Sequence, residues 1–235
     1  MKKTLFTIGT ISLLFLTCID SPLSDVEITD FGLISGMFLV SKDFNANQTT
    51  ELVTVAIRDK NLFGIHIKNG SVTVNGLSMA FNPISKTYHH TIQVIKEKVY
   101  TFVVTLPNGD TSISVVTTPK AEFGEVSYPD PIHIQQDSAI HWTDFAGSGT
   151  TLEILLVVKY YSDTLPITRT VFERTIDDNG RFALTHDLFD PSRHTGDGTL
   201  TLKRESIVTA SNKLRMGSLA TATFKWSRSD IRLGI

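Results

Sequence analysis

Histidine is the side chain that serves as a base or a metal ligand near neutral pH, and the chain has seven of them. His89 and His90 are neighbours in the strand-like run YHHTIQVI. Their rings therefore leave opposite faces and cannot share one metal without a bulge. His90 falls on the face of Tyr88, Ile92 and Val94, where a hydrogen-bonded, half-buried histidine is a better reading than a ligand. His186 and Asp187 fail in the same way, because His186 shares a face with Phe182, Leu184 and Leu188 while Asp187 points away. His66, His133, His141 and His194 have no companion at ligand spacing.

Calcium is the next chemistry to test, on Asp177-Asp178-Asn179-Gly180. A helix-flanked calcium loop wants oxygen ligands at its first, third and fifth positions, glycine at the sixth and a bidentate Glu at the twelfth. With Gly180 as the sixth position, Thr175 is the first and His186 stands where the Glu is needed. A hairpin turn is the better reading. Ser148 sits among the glycines of AGSGT, but the spacing is not that of a nucleophile elbow, and a strand follows where an elbow needs a helix. No glycine-rich loop leads into a helix with a lysine, so phosphate-cradling motifs are missing. The expectation is no catalytic residue, no metal ligand and no cofactor. A hydrolase built on carboxylates that the sequence does not pair is the remaining enzymatic alternative.

Aromatic rings are the other candidate chemistry, since they stack on sugars and on protein partners. Tyr160 and Tyr161 are adjacent on a strand and face opposite sides, one toward the core and one outward. Trp226 shares a side with Phe224, Ala222 and Ala220, which favours a core ring over a binding platform. Lys and Arg are scattered singly, 22 of them against 24 acidic side chains, for a formal charge of −2, or −4 once Lys2 and Lys3 are removed. Without a basic stripe interleaved with aromatics, a nucleic-acid partner is not expected.

The elements that must position these residues are strands. Beyond residue 31 no stretch of ten residues shows a 3.6-residue apolar period, while period-two runs recur about every ten residues. One series comprises Leu52 to Arg58, Ser71 to Asn75, Tyr88 to Ile95, Tyr100 to Leu106 and Thr111 to Thr117. Its last two runs are joined by Pro107-Asn108-Gly109-Asp110, where Asn-Gly suits the positive φ angles of a tight hairpin. The second series comprises Ala139 to Phe145, Leu152 to Tyr161, Thr168 to Ile176, Arg181 to Leu188, Gly198 to Val208 and Ser218 to Trp226. LEILLVVKYY is apolar on both faces at its middle, as a strand covered on each side would be. The segment from Pro119 to Pro131 holds three prolines, its two end residues included, and a glycine, and a domain boundary is expected there.

Each series has the size of an immunoglobulin-like or fibronectin type III-like sandwich. AIHWTDF places Ile140 and Trp142 on one face and resembles the buried-tryptophan strand of those folds. The expected fold class is all-β, with two consecutive sandwiches at 32–118 and 119–235.

Residues 1–17 read as an export signal: Lys2 and Lys3, then an apolar run broken by Thr4, Thr7, Gly9, Thr10 and Ser12. That run is short of the roughly 20 residues of a membrane-spanning helix. Phe15-Leu16-Thr17-Cys18 resembles the lipobox of bacterial lipoproteins, in a loose form of the kind found in Bacteroidetes and spirochaetes. The resemblance implies lipidation at Cys18, the one cysteine of the chain, with residues 18–31 as a tether. Ile19 after the cysteine implies the outer membrane under the enterobacterial sorting rule. The functional expectation is a non-enzymatic, lipid-anchored envelope protein whose β modules bind a protein or glycan, with a carbohydrate-binding accessory as the alternative.

Overall fold

The computed structural model describes residues 28–45, 48–147, 149–160, 167–189 and 196–234. The chain is all-β. Its first half forms β1 (Ser35–Asn45), β2 (Gln48–Arg58), β3 (Ser71–Val74), β4 (Leu77–Ser78), β5 (Ala80–Asn82), β6 (Thr87–His90), β7 (Val99–Thr105) and β8 (Thr111–Thr117). Its second half forms β9 (Val126–Ser127), β10 (Ile132–His133), β11 (Ser138–Trp142), β12 (Thr151–Tyr160), β13 (Ile167–Asp177), β14 (Arg181–Leu184), β15 (Gly196–Thr209) and β16 (Leu219–Gly234). The helical elements described are two single 3-10 turns, Phe31–Leu33 and His186–Leu188. Among the described residues no helix is long and apolar enough to cross a membrane.

One nine-stranded sheet runs in the order β13-β12-β15-β16-β1-β2-β6-β5, with β10 added on β16. Two smaller sheets, β4-β3-β7-β8 and β14-β11-β9, complete the architecture. Alternation explains both stackings, because every second side chain of a strand faces the same way. Phe38 of β1 meets Phe102 of β7 with ring centroids 5.2 Å apart, and Phe172 of β13 meets Phe182 of β14 at the same distance. Both small sheets therefore lie on the face of the large sheet that carries Phe38 and Phe172, and among the described residues its other face is open.

The large sheet takes strands from both sides of the expected boundary. β1 and β16 pair in parallel, from Met37↔Leu219 to Asn45↔Ser227. Segment 119–131 packs rather than loops away: Ala121 and Phe123 are buried, Tyr128 and Val126 are half-buried, and Glu122 pairs with Lys42 of β1 at 2.9 Å. Burial alone would lower the Lys42 pKa, but the hydrogen bonds it donates to Glu122 and Glu51 outweigh it and leave the ammonium above its ordinary value. The two halves thus share a hydrogen-bonded sheet and a packed crossover.

Several elements differ from expectation. β1 has no counterpart in the sequence reading. The expected strand 181–188 ends at Leu184, where Thr185 leads into the 3-10 turn, and the run from Tyr88 ends as a strand at His90. In β12, Leu152, Ile154, Leu156 and Val158 are buried, but Leu155 and Val157 are only half-buried, so one face is not fully covered. The turn after Leu106 places only Gly109 at positive φ, +87°, and its N–H donates to the Leu106 carbonyl at 2.9 Å. That is a type I turn with a glycine bulge, a commoner partner for a longer hairpin loop than the primed turn. The expected tether ends before residue 31, since Ile28 and Phe31 are buried and Asn108 Nδ2 donates to the Thr29 carbonyl at 3.2 Å. Cys18, Ser148, Tyr161 and His194 lie outside the described residues.

Candidate functional site

Among the histidines, His186 has the most chemistry around it. β11 and β14 pair antiparallel with Ser138 opposite Leu184. The residues just beyond that register, Asp137 and His186, are thereby brought side by side. Asp137 Oδ1 accepts the main-chain N–H of His186 at 3.0 Å and faces its Nδ1 at 3.2 Å. The backbone hydrogen bond and then the imidazole hydrogen bond hold the Asp137 carboxyl below its ordinary pKa. Both side chains are well exposed, which corrects the expectation that His186 shares a buried face with Leu184. The 3-10 turn breaks the alternation on which that expectation rested. Beside the pair is a concavity of about 360 Å³ lined by Ile134, Gln135, His186, Asp187 and Phe189.

The Asp-Asp-Asn-Gly turn has a different use from the one its composition suggests. Gly180 takes φ +85° as a turn glycine does, but Asp178 is fully buried and so is Arg204 of β15. Arg204 donates from Nε to Asp178 Oδ2 at 2.6 Å and from Nη2 to Oδ1 at 3.0 Å. The Trp142 indole N–H donates to Oδ1 at 2.8 Å and the Ala146 N–H to Oδ2 at 3.0 Å. Arg204 also lies 4.0 Å over the Phe123 ring. Burial would raise the Asp178 pKa; the guanidinium, the Ala146 amide and the indole overcome this and leave it lowered. With both oxygens committed inward, this carboxylate ties β11 and the loop after it to Arg204 of β15, and Arg204 in turn reaches the crossover segment at Phe123 and the Ala121 carbonyl.

The remaining histidines are dispersed. His90 faces inward beside Tyr88 and its Nδ1 lies 3.0 Å from the Ser78 carbonyl, in keeping with a hydrogen-bonded, half-buried histidine. His66 stacks on Phe81 with centroids 4.4 Å apart and planes 14° from parallel. Among the described residues no group of three or more His, Cys, Asp or Glu could hold a metal ion. Trp226 is half-buried, packed against the core and edge-on to Tyr128 at 6.2 Å, less enclosed than the core ring that its alternation favoured.

A second accessible surface among the described residues is the open face of the large sheet. Two rows cross β2, β1, β16 and β15: Thr54, Leu39, Thr221, Ile207, and Ala56, Met37, Leu219, Thr209. No member of either row carries a charge. Met37 is 47% exposed, Leu219 39% and Ile207 57%, values that mark accessible side chains rather than rims of a core. Toward β12 and the distal ends of the strands the face turns ionic, with Lys203 bridging Glu153 at 3.0 Å and Glu205 at 3.4 Å. The sequence contained the signal for this patch in SGMFLVSK, where apolar residues fall on both strand faces. Asp137 and Arg204 had none, because their partners come from distant strands.

No family model matches the chain, and no curated protein matches it. Among solved structures it is similar to trypsin-activated alpha-2-macroglobulin from Escherichia coli at 12% identity and a TM-score of 0.26. The alignment covers 88% of this chain and 16% of that one, so the chain spans about a sixth of its length.

Proposed function

We propose that this protein is a non-enzymatic, lipid-anchored envelope protein that binds a macromolecular partner through the open face of its large sheet. The observation that carries this reading is the uncharged double row centred on Met37, Leu39, Leu219 and Ile207. Contiguous exposed apolar surface on a folded chain marks interaction sites. The anchor is Cys18, as the lipobox resemblance implies, with the outer membrane as its place. Each half is read as an immunoglobulin-like or fibronectin type III-like sandwich, with Trp142 as the buried tryptophan of the second and the large sheet common to both. A protein partner is favoured over a glycan. Sugar stacking needs clustered exposed rings, and the large exposed ones described, Phe63 and Phe145, fall in different loops after β2 and β11.

The test is Met37→Lys combined with Ile207→Lys in cells lacking the wild-type gene. Exposed substitutions of this kind cost about 1 kcal/mol or less, so the variant should fold and reach the membrane. Loss of complementation is expected. Full complementation by a folded, membrane-bound double variant overturns the reading.

A further inference from the structure

The concavity beside His186 and Asp137 has a division of labour that the open sheet face does not share. Its floor is apolar: Ile134 and Phe189 are buried but line it. Its rim is polar, with Gln135, His186 and Asp187, and its volume of about 360 Å³ lies within the range of small-ligand sites.

Asp137 organises the rim. Its Oδ1 takes both the main-chain and the Nδ1 contacts of His186, at 3.0 and 3.2 Å. Committing Nδ1–H to a carboxylate fixes the tautomer and leaves Nε2 as the basic nitrogen. The Asp187 carboxylate forms no hydrogen bond or ion pair among the described residues, yet it lines the same concavity. The Asp187 carboxylate on the rim and the Asp137 carboxylate behind His186 repel an anion and favour a cation that can donate hydrogen bonds. The apolar floor favours hydrocarbon attached to it.

We infer that this concavity binds a primary ammonium on a short apolar stem, the chemistry shared by a free alkylamine and a lysine side chain. The ammonium has three N–H donors, matching His186 Nε2, the Asp187 carboxylate and the Gln135 amide oxygen. The stem lies over Ile134 and Phe189. The site is separate from the Met37 and Ile207 face and does not depend on it.

The experiment is an NMR titration of the full chain, purified in nonionic detergent, with butylammonium, butanol and butyrate. Saturable shifts on the His186 ring and the Ile134 methyls are expected with butylammonium, with a dissociation constant on the order of 10 mM for so few heavy atoms. Butanol and butyrate should bind more weakly, and Asp187→Asn should weaken butylammonium about threefold, the weight of one partly exposed charge pair. Nα-acetyl-lysine N-methylamide in a parallel titration separates the sources: tighter binding than butylammonium assigns the site to a protein lysine, weaker binding to a free amine. The inference is overturned by the absence of saturable shifts at these residues, by butanol binding as well as butylammonium, or by Asp187→Asn having no effect.

Discussion

Asp178→Asn is the sharpest perturbation of the fold. In the native chain the Asp178 carboxylate accepts from Arg204 at 2.6 and 3.0 Å, from Trp142 at 2.8 Å and from Ala146 at 3.0 Å. Asparagine keeps the shape and one acceptor oxygen but leaves the Arg204 guanidinium, 1% exposed, without its counter-charge. Breaking a buried pair by removing one partner costs about 3 to 5 kcal/mol, because the survivor stays desolvated. Removing both charges avoids that penalty, so Asp178→Asn with Arg204→Met should cost clearly less than the single variant. Urea unfolding followed by circular dichroism gives each free energy, and the double-mutant cycle gives the coupling. The wild-type carboxyl is held below its ordinary pKa, so its stabilisation is present above the unfolded value of about 3.9 and is lost as pH falls through the folded value. The acid loss below about pH 4 should therefore be smaller in Asp178→Asn. A cost under about 1 kcal/mol for the single variant, or a double variant costing the sum of the two singles, would refute the reasoning.

Burial pushes the Tyr88 hydroxyl up to about 12, against the lowering effect of the Ile67 N–H that donates to it at 2.7 Å. The neutral phenol's contribution is thus present below its unfolded value of about 10 and lost from there upward; Tyr88→Phe should abolish that alkaline component, and an unchanged profile contradicts the assignment. Limited proteolysis of the native chain should spare 119–131, since Ala121 and Phe123 are each 6% exposed; two protected fragments divided there would show that the crossover is not packed. Cys18→Ala should release the protein from membranes or leave the precursor uncut, because the acyl chains bury many methylenes at about 0.8 kcal/mol each; normal processing and retention would remove the lipoprotein reading.

How much was legible depended on the sequence distance of each contact. β7 and β8 were readable because a local turn joins them and Tyr100, Phe102 and Val104 alternate cleanly with threonines and Val103. β1 was hidden for a plain physical reason: Met37 and Leu39 are apolar on the open face, which erases the contrast that marks a strand. Its pairing with β16 joins residues 182 apart, as does the Gly36 N–H to Ser218 Oγ bond at 3.0 Å. Nothing in either segment names its partner. The same holds for the site. Trp142 was legible as a buried ring from its alternation with Ile140, but its hydrogen bond to Asp178 spans 36 residues. Asp137 and His186 are 49 residues apart and meet only through the β11–β14 register.

Site-specific photocrosslinking in intact cells tests most directly whether the open sheet face is the binding surface. A photoreactive side chain in place of Ile207 lies in the uncharged rows, whereas one in place of Glu173 lies on β13 at the exposed edge of the same sheet. Expected on irradiation is a discrete adduct from position 207, none from 173, and loss of the 207 adduct when Met37→Lys is added. No adduct from 207 in a folded, membrane-bound chain, or equal adducts from both positions, would contradict it.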